Sequence, residues 1–381
     1  MPKQQYVEYH LLQTVPPANL NRDDQGNPKE AFFGGVRRSR VSSQAWKRAT
    51  RIEFDRHLPE ADQSTRTKQI AKQLAGRLRD RTDVDAEQAQ RLAGALLEPL
   101  GIKAGRKAGD TAYLLYYGYG QLDRIVDLVA DRAIDLAALP EDELTAAVKD
   151  IKVADELKSG HPMGVALFGR MVADIPSLNV DAAAQVAHAL STHRVELEAD
   201  YYTAVDDANE QDETGAGMIG SIGFNSATLY RYAVIGLHQL VGNIGSTEAA
   251  LEAIQRFGRA FALSMPTGHI TSFAHRTRPS LVAVVVRDDQ PVNLVSAFER
   301  PVPDADPSGA ACGVAAESAG RLAHEYLRSV RQWGDQPVHA GVSHAFDATA
   351  DDDIARAFGD NQPFDQMLQG LDEALARTWQ S

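Results

Sequence analysis

A single cysteine, Cys312, stands among 381 residues, which excludes an internal disulfide framework and a cysteine-based zinc site. That usage fits a reducing compartment, and a cytoplasmic location is expected. No apolar run approaches the ~18 residues of a membrane-spanning helix, and the opening MPKQQYVEYH lacks the apolar centre of a signal peptide. Neither G-x-S-x-G nor a P-loop occurs; His188 and His193 are five apart with no glutamate after His188, so HExxH is missing too. The absences leave no sequence signal for serine-hydrolase, P-loop or zincin chemistry, and neither metal nor cofactor is expected. Positive charge is scarce as well. With 39 Lys+Arg against 52 Asp+Glu the net charge is −13, which argues against a protein that coats nucleic acid indiscriminately. What remains is an ordinary soluble composition, 44% hydrophobic and 24% charged, able to bury a core without staples.

The scarce cations are unevenly placed. Residues 22–51 hold eight Lys/Arg and three acids, a balance of +5, so the rest of the chain carries −18. The densest part is GGVRRSRVSSQAWKRATR, residues 34–51. SSQAWKRATRIEFDR reads as a helix capped by Ser42 or Ser43. At about 100° per residue, Lys47, Arg48 and Arg51 share one arc, and Trp46, Ala49 and Ile52 lie on the other side, facing a core. The open N–H groups of the first turn point the same positive end at an anion. Gly34 and Gly35 would admit a sugar-phosphate to the backbone, and Ser42, Ser43 and Gln44 supply neutral donors. An isolated basic cluster is ordinarily a solvated face. Cap, glycine pair, amide and cations together point to a phosphate backbone.

Around this block the chain alternates strands and helices. YVEYHLLQTV (6–15) and LVAVVV (281–286) read as buried strands, as does MGVALFGRM (163–171). Residues 60–160 read as consecutive amphipathic helices. DAAAQVAHALSTH (181–193), STEAALEAIQRFGRAFALSM and roughly 313–332 are further expected helices, the second capped by Ser246 or Thr247. The segment from Glu196 to Leu237 reads as two extended arms around an acidic, glycine-rich middle. Such mixing predicts an α+β fold, with helices on one face of a mostly antiparallel sheet.

GAGMIG (215–220) matches G-x-G-x-x-G, but it follows an acidic run and opens no helix, so a hairpin tip is the better reading than a dinucleotide site. Residues 196–213 carry eight acids and no base, which turns that segment away from phosphates while leaving Tyr201, Tyr202 and Val205 to pack on bases or a neighbouring subunit. His161, His269 and His275 fall near expected strand ends, where a solvated or core histidine is the ordinary reading.

At this point the residues resemble a known family. PPANLNRDDQGNPKEAFFGGVRRSRVSSQAWKRA is similar to the N-terminal signature of the backbone subunit (CasC) of the type I-E CRISPR Cascade complex. YYTAVDD (201–207), FNSATLYRYAVIGL and SAFERPV follow in that family's order. The resemblance implies a hand: a palm on a modified RRM (ferredoxin-like) sheet at 1–60, 161–196 and 227–381, a helical finger insertion at 61–160 and a thumb β-hairpin at 197–226. It implies copies stacked in a helical filament along one CRISPR RNA, presenting it to target DNA without doing chemistry. Other Cascade subunits would cap the 5′ handle, read the PAM, line the belly and, as an endonuclease, hold the stem-loop. Carried over residue by residue, guide contacts fall on Arg22, Lys29, Ser42, Gln44, Lys47 and Arg51, with Asn21, Ser43 and Arg48 adjacent. Arg170 and Met171 match a palm segment packed on the RNA; Tyr202, Thr203 and Val205 match the thumb. His269 and Ile270 stand where the family often has Lys-Gln. No aromatic RNP1 pattern is visible, so bases are not expected to stack on the sheet. The main rival is an RNA-processing endonuclease of the related CRISPR superfamily with a histidine general base.

Overall fold

The computed structural model describes residues 4–102, 105–107, 109–204, 218–303, 313–346 and 348–379. Its strands are β1 (Tyr6–Ala18), β2 (Glu30–Phe33), β3 (Val36–Val41), β4 (Ser64–Thr67), β5 (Leu115–Gly118), β6 (Ala184–Val186), β7 (Ala189–Ser191), β8 (Glu198–Ala204), β9 (Met218–Gly236), β10 (Leu281–Arg287) and β11 (His339–His344). The helices are α1 (Ser43–Arg56), α2 (Ile70–Arg81), α3 (Ala86–Leu97), α4 (Tyr119–Asp127), α5 (Ala133–Ala138), α6 (Glu141–Val148), α7 (Val153–Lys158), α8 (Met163–Phe168), α9 (Leu237–Ile244), α10 (Thr247–Leu263), α11 (Ile270–Phe273), α12 (Val314–Trp333), α13 (Ala348–Phe358) and α14 (Phe364–Trp379). Among the described residues no helix is long and apolar enough to cross a membrane. The chain divides into two compact units. One comprises 1–53, 185–235 and 255–381, the other 54–184 and 236–254.

The first unit is built on a sheet of order β11-β10-β1-β9-β7-β3-β2, with β6 and β8 also paired to β9. The pairs β1–β10, β10–β11, β2–β3, β3–β7, β7–β9 and β8–β9 are antiparallel. Helices cover both faces rather than the one expected. Alternate residues of a strand point oppositely. Leu12 joins Tyr230, Tyr232, Ala283 and Val285 under α12 and α13, through Leu322, Tyr326, Ile354 and Phe358. Tyr9 instead meets Phe257 and Phe261 of α10. Every residue of β10 is buried in consequence, which is why it reads as an unbroken apolar run.

The second unit holds α2–α7 around one core of Ile70, Leu74, Leu92, Leu96, Leu122, Ile125 and Leu144, with a two-stranded antiparallel β4–β5 sheet that the sequence did not signal. Two expectations fail here and beside it. MGVALF is helical, not a strand, because Pro162 precedes it and Gly169, at φ 74°, ends it. The alanine-rich 181–193 forms β6 and β7 instead of a helix. Pairing with β9 and β3 overrides alanine's helical preference. Residues 161–184 belong to the second unit.

Candidate nucleic-acid interface

The site in the first unit is assembled around the start of α1. Ser42 is the cap: its Oγ accepts the Ala45 N–H at 3.2 Å, and its own N–H donates to Asn21 Oδ1 at 2.9 Å. Asn21 thus ties the preceding loop to the helix. Within that loop Lys29 N–H donates to Asn21 O, Arg22 pairs with Pro28, and Asp23 Oδ1 accepts from the N–H groups of Gln25 and Asn27. Asp23 is accordingly committed to turn geometry, and Lys29 and Arg22 are held beside the helix end. Ser43 N–H donates to His188 Nδ1 at 3.0 Å. His188 therefore joins the site from the β6–β7 turn, 145 residues away, and no local sequence signal marked it. Burial and the neighbouring Arg40 push its pKa down, consistent with the neutral ring this bond requires.

On α1 itself Gln44 and Arg48 are exposed, Arg51 is intermediate, and Lys47 is half-buried, with a pKa lowered by desolvation. The apolar side departs from the expected one. Trp46, Thr50 and Phe54 are buried at four-residue steps, whereas Ile52 is 43% exposed and Ala49 only partly covered. Four-residue recurrence drifts slowly around a 3.6-residue helix, so the buried stripe runs through Thr50 rather than Ala49 and Ile52.

The other arginines of the basic block have partners within the protein. Arg38 is fully buried and donates to the carbonyls of Phe33, Ser191, Phe298 and Glu299. Arg37 pairs with Glu30 at 2.5 Å, and Arg40 Nε donates to Glu30 O at 3.3 Å. Gly34 has no room for a ligand, whereas Gly35 has nothing within 4 Å of a would-be Cβ. Both have positive φ and close the β2–β3 hairpin, and a Cβ on Gly34 would lie 1.6 Å from Glu299 O. The close approach that demands glycine is the protein's own backbone.

Two further elements complete the site. Gly268 packs so closely on the Asn19 and Leu20 carbonyls that a Cβ there would come within 2.4 Å, and this seats His269 near Arg22. His269 adopts φ 50° and meets Phe273 edge-on, and burial together with Arg22 lowers its pKa. Asn19 Nδ2 donates to Gly26 O and Gly223 O at 2.8 and 2.9 Å, fastening the loop to the base of the β8–β9 hairpin. On that hairpin Tyr202 pairs with Gly220 and Thr203 with Ile219. A Cβ at Gly220 would sit 2.4 Å from the Tyr202 ring, so the glycine provides the ring's seat. Tyr201 is 63% exposed, Tyr202 42%. Val205, and Gly215 to Gly217 of GAGMIG, lie outside the described residues; Met218 to Gly220 begin a strand, not the helix a dinucleotide site needs.

In the second unit the structure separates the pair Arg170–Met171. Arg170 is 4% exposed, with its guanidinium on the carbonyls of Leu178, Tyr116 and Leu157, so it has no face for a ligand, while Met171 is 83% exposed. Among the described residues no group of three or more His, Cys, Asp or Glu stands together as a metal site.

Comparison with known proteins gives two kinds of match. The family model described as CT1975-like protein matches residues 7–370. A chain of a structure titled "CRISPR RNA-guided surveillance complex, pre-nicking" shares 32% identity, covering 97% of this chain and 99% of that one, with a TM-score of 0.82. A chain of a "CRISPR RNA-guided surveillance complex" shares 29% identity over 97% and 99% of the two chains, with a TM-score of 0.72. No curated protein matches.

Proposed function

The chain belongs to the CT1975-like protein family, and from that premise we propose that it is a non-catalytic, RNA-binding backbone subunit of a CRISPR surveillance complex. Copies line up along one guide RNA and hold it for pairing with target DNA, and the other subunits of the complex close the ends and flank the filament. The observation that carries the reading is the joining, in one unit, of the α1 start with the loop of Asn21, Arg22 and Lys29, and with His188, His269 and the thumb base. Ser43, Gln44, Lys47, Arg48 and Arg51 offer donors and cations suited to phosphate and sugar. A subunit that must accept any guide sequence grips the backbone and leaves base edges free. The helices on both sheet faces support that division, because they cover Tyr9, Tyr230 and Tyr232 of the central strands, which are then closed to bases.

Purification from cells expressing a CRISPR array tests the proposal. Guide-length RNA is expected to accompany the chain in a large particle. An RNA-free monomer, or a purified chain that cleaves repeat RNA and loses cleavage when one histidine is replaced, would overturn it.

A further inference from the structure

Arg231 and Arg287 both lie in the first unit and are each 1% exposed, yet they are accommodated differently. Arg287 meets two carboxylates, Glu8 Oε2 at 3.0 Å and Asp335 Oδ2 at 3.2 Å. Arg231, on β9, meets none among the described residues. Its Nη1 donates to Gln13 Oε1 at 2.6 Å and its Nη2 to Phe261 O, while its Nε is buried with no acceptor. Gln13 keeps its oxygen toward the arginine by donating its own Nε2 to Thr277 O at 2.9 Å. The ring centres of Trp46 and Phe261 lie 3.7 and 4.5 Å from the guanidinium carbon. Burial pushes the Arg231 pKa down to about 9, which still leaves it charged at neutral pH.

The charge is doubly unfavourable where it stands. It has lost its hydration without gaining an anion, and a neutral side chain of similar volume would avoid that cost. It also lies against the start of α1. Trp46, which stacks on it, closes the first turn of that helix, its N–H donating to Ser42 O at 3.1 Å. A helix start is the positive pole, and a cation beside it is repelled. Both penalties fall when an anion sits at the start of α1.

We infer that Arg231 is a buried electrostatic determinant of RNA affinity, and that its counter-charge is the phosphate backbone of a guide bound at the start of α1. The inference rests on the RNA-binding reading above. Arg231 touches no phosphate and acts through Trp46 and the helix. Across one helix diameter, about 10–12 Å, at an effective dielectric constant of about 20, a unit charge changes affinity by about tenfold, less where salt screens it. By reciprocity RNA stabilises the wild-type fold more than that of a variant with no net charge at this place.

The test compares R231K, R231Q and Q13E with wild type on the full chain, with oligouridylate as the probe. R231K keeps the charge and R231Q removes it. Q13E leaves Arg231 in place and gives it a carboxylate at the position of the Gln13 amide. Affinity at neutral pH and melting temperature with and without RNA are read together. R231K is expected to bind within about twofold of wild type, although it loses the planar fork. R231Q and Q13E are each expected to bind about three- to tenfold more weakly and to gain less melting temperature from RNA. Q13E decides the matter if the substitutions at Arg231 fail to fold, and R231K against R231Q decides it if Q13E does. The inference is overturned if Q13E binds as wild type does, or if affinity follows the RNA-free melting temperature rather than the charge. A wild-type chain that binds no oligouridylate would overturn the functional reading itself, and this inference with it.

Discussion

Arginine serves opposite ends in two parts of the molecule. Along α1, Arg48 stands exposed beside Gln44, with Lys47 and Arg51 half-buried, over a stripe of Trp46, Thr50 and Phe54. In the interior, Arg38, Arg170 and Arg231 turn their donors onto the protein's own acceptors. Arg38 reaches four carbonyls and Arg170 three, while Arg231 holds Gln13 Oε1 and Phe261 O with Trp46 stacked 3.7 Å from its guanidinium carbon. Cation count is therefore a poor guide to binding. A guanidinium whose hydrogens already meet carbonyls has little left for a phosphate, whereas one facing water exchanges hydration and counterions for it.

The comparison is sharpened first by removing an interior arginine. Arg38→Ala is expected to cost about 3 kcal/mol or more, since it orphans several buried carbonyls and leaves a cavity. Urea unfolding measures it, and a loss below about 1 kcal/mol would erase the distinction between the two classes. Next, Lys47→Ala with Arg51→Ala is expected to weaken RNA binding by one to two orders of magnitude while the melting temperature holds. If about five phosphates are gripped per subunit as proposed, wild type is expected to show a log–log salt slope near −3.5, and the double variant one about 1.4 units shallower. Unchanged affinity and slope would move the contacts elsewhere.

A pH titration separates the regions more gently. In the second unit burial, then Arg170 and Arg124, pushes the His161 pKa down to about 4. The unfolded chain then binds the extra proton between about pH 6.5 and 4, so stability falls as pH drops through that window. His161→Gln is expected to flatten this part of the melting-temperature profile without touching RNA affinity at neutral pH. The smallest effect expected is that of Ser42→Ala, about 1 kcal/mol of stability from the lost cap, seen as a modest shift in urea midpoint. A loss of RNA binding far beyond that of the destabilisation would assign the Ser42 hydroxyl to the ligand as well.

Much of the fold was legible because its signals are local. β1, β10, α1, α10 and α12 lie where periodicity and caps put them; Ser246 Oγ, for instance, accepts the Ala249 N–H at 3.3 Å. The antiparallel α+β sheet and the family resemblance agree with the structural match as well. The misreadings share one cause. MGVALF is uniformly apolar and has no period to read, and DAAAQVAHALSTH has alanines that suit a helix until β9 and β3 offer pairing. At the site, the residues around α1 are legible from their order, but His188 is not, because nothing near it in sequence points to Ser43.

By itself, the sequence determined the composition of the interface: a charge asymmetry, a capped cationic helix and a loop of turn residues, all short-range properties of consecutive residues. Only the tertiary structure decided which cations face outward, that Gly34 lies against Glu299, that Arg170 is sealed while Met171 is displayed, and that His188 meets α1. Those outcomes depend on which carbonyls and rings arrive from distant segments, and a buried donor takes whatever acceptor the fold brings to it.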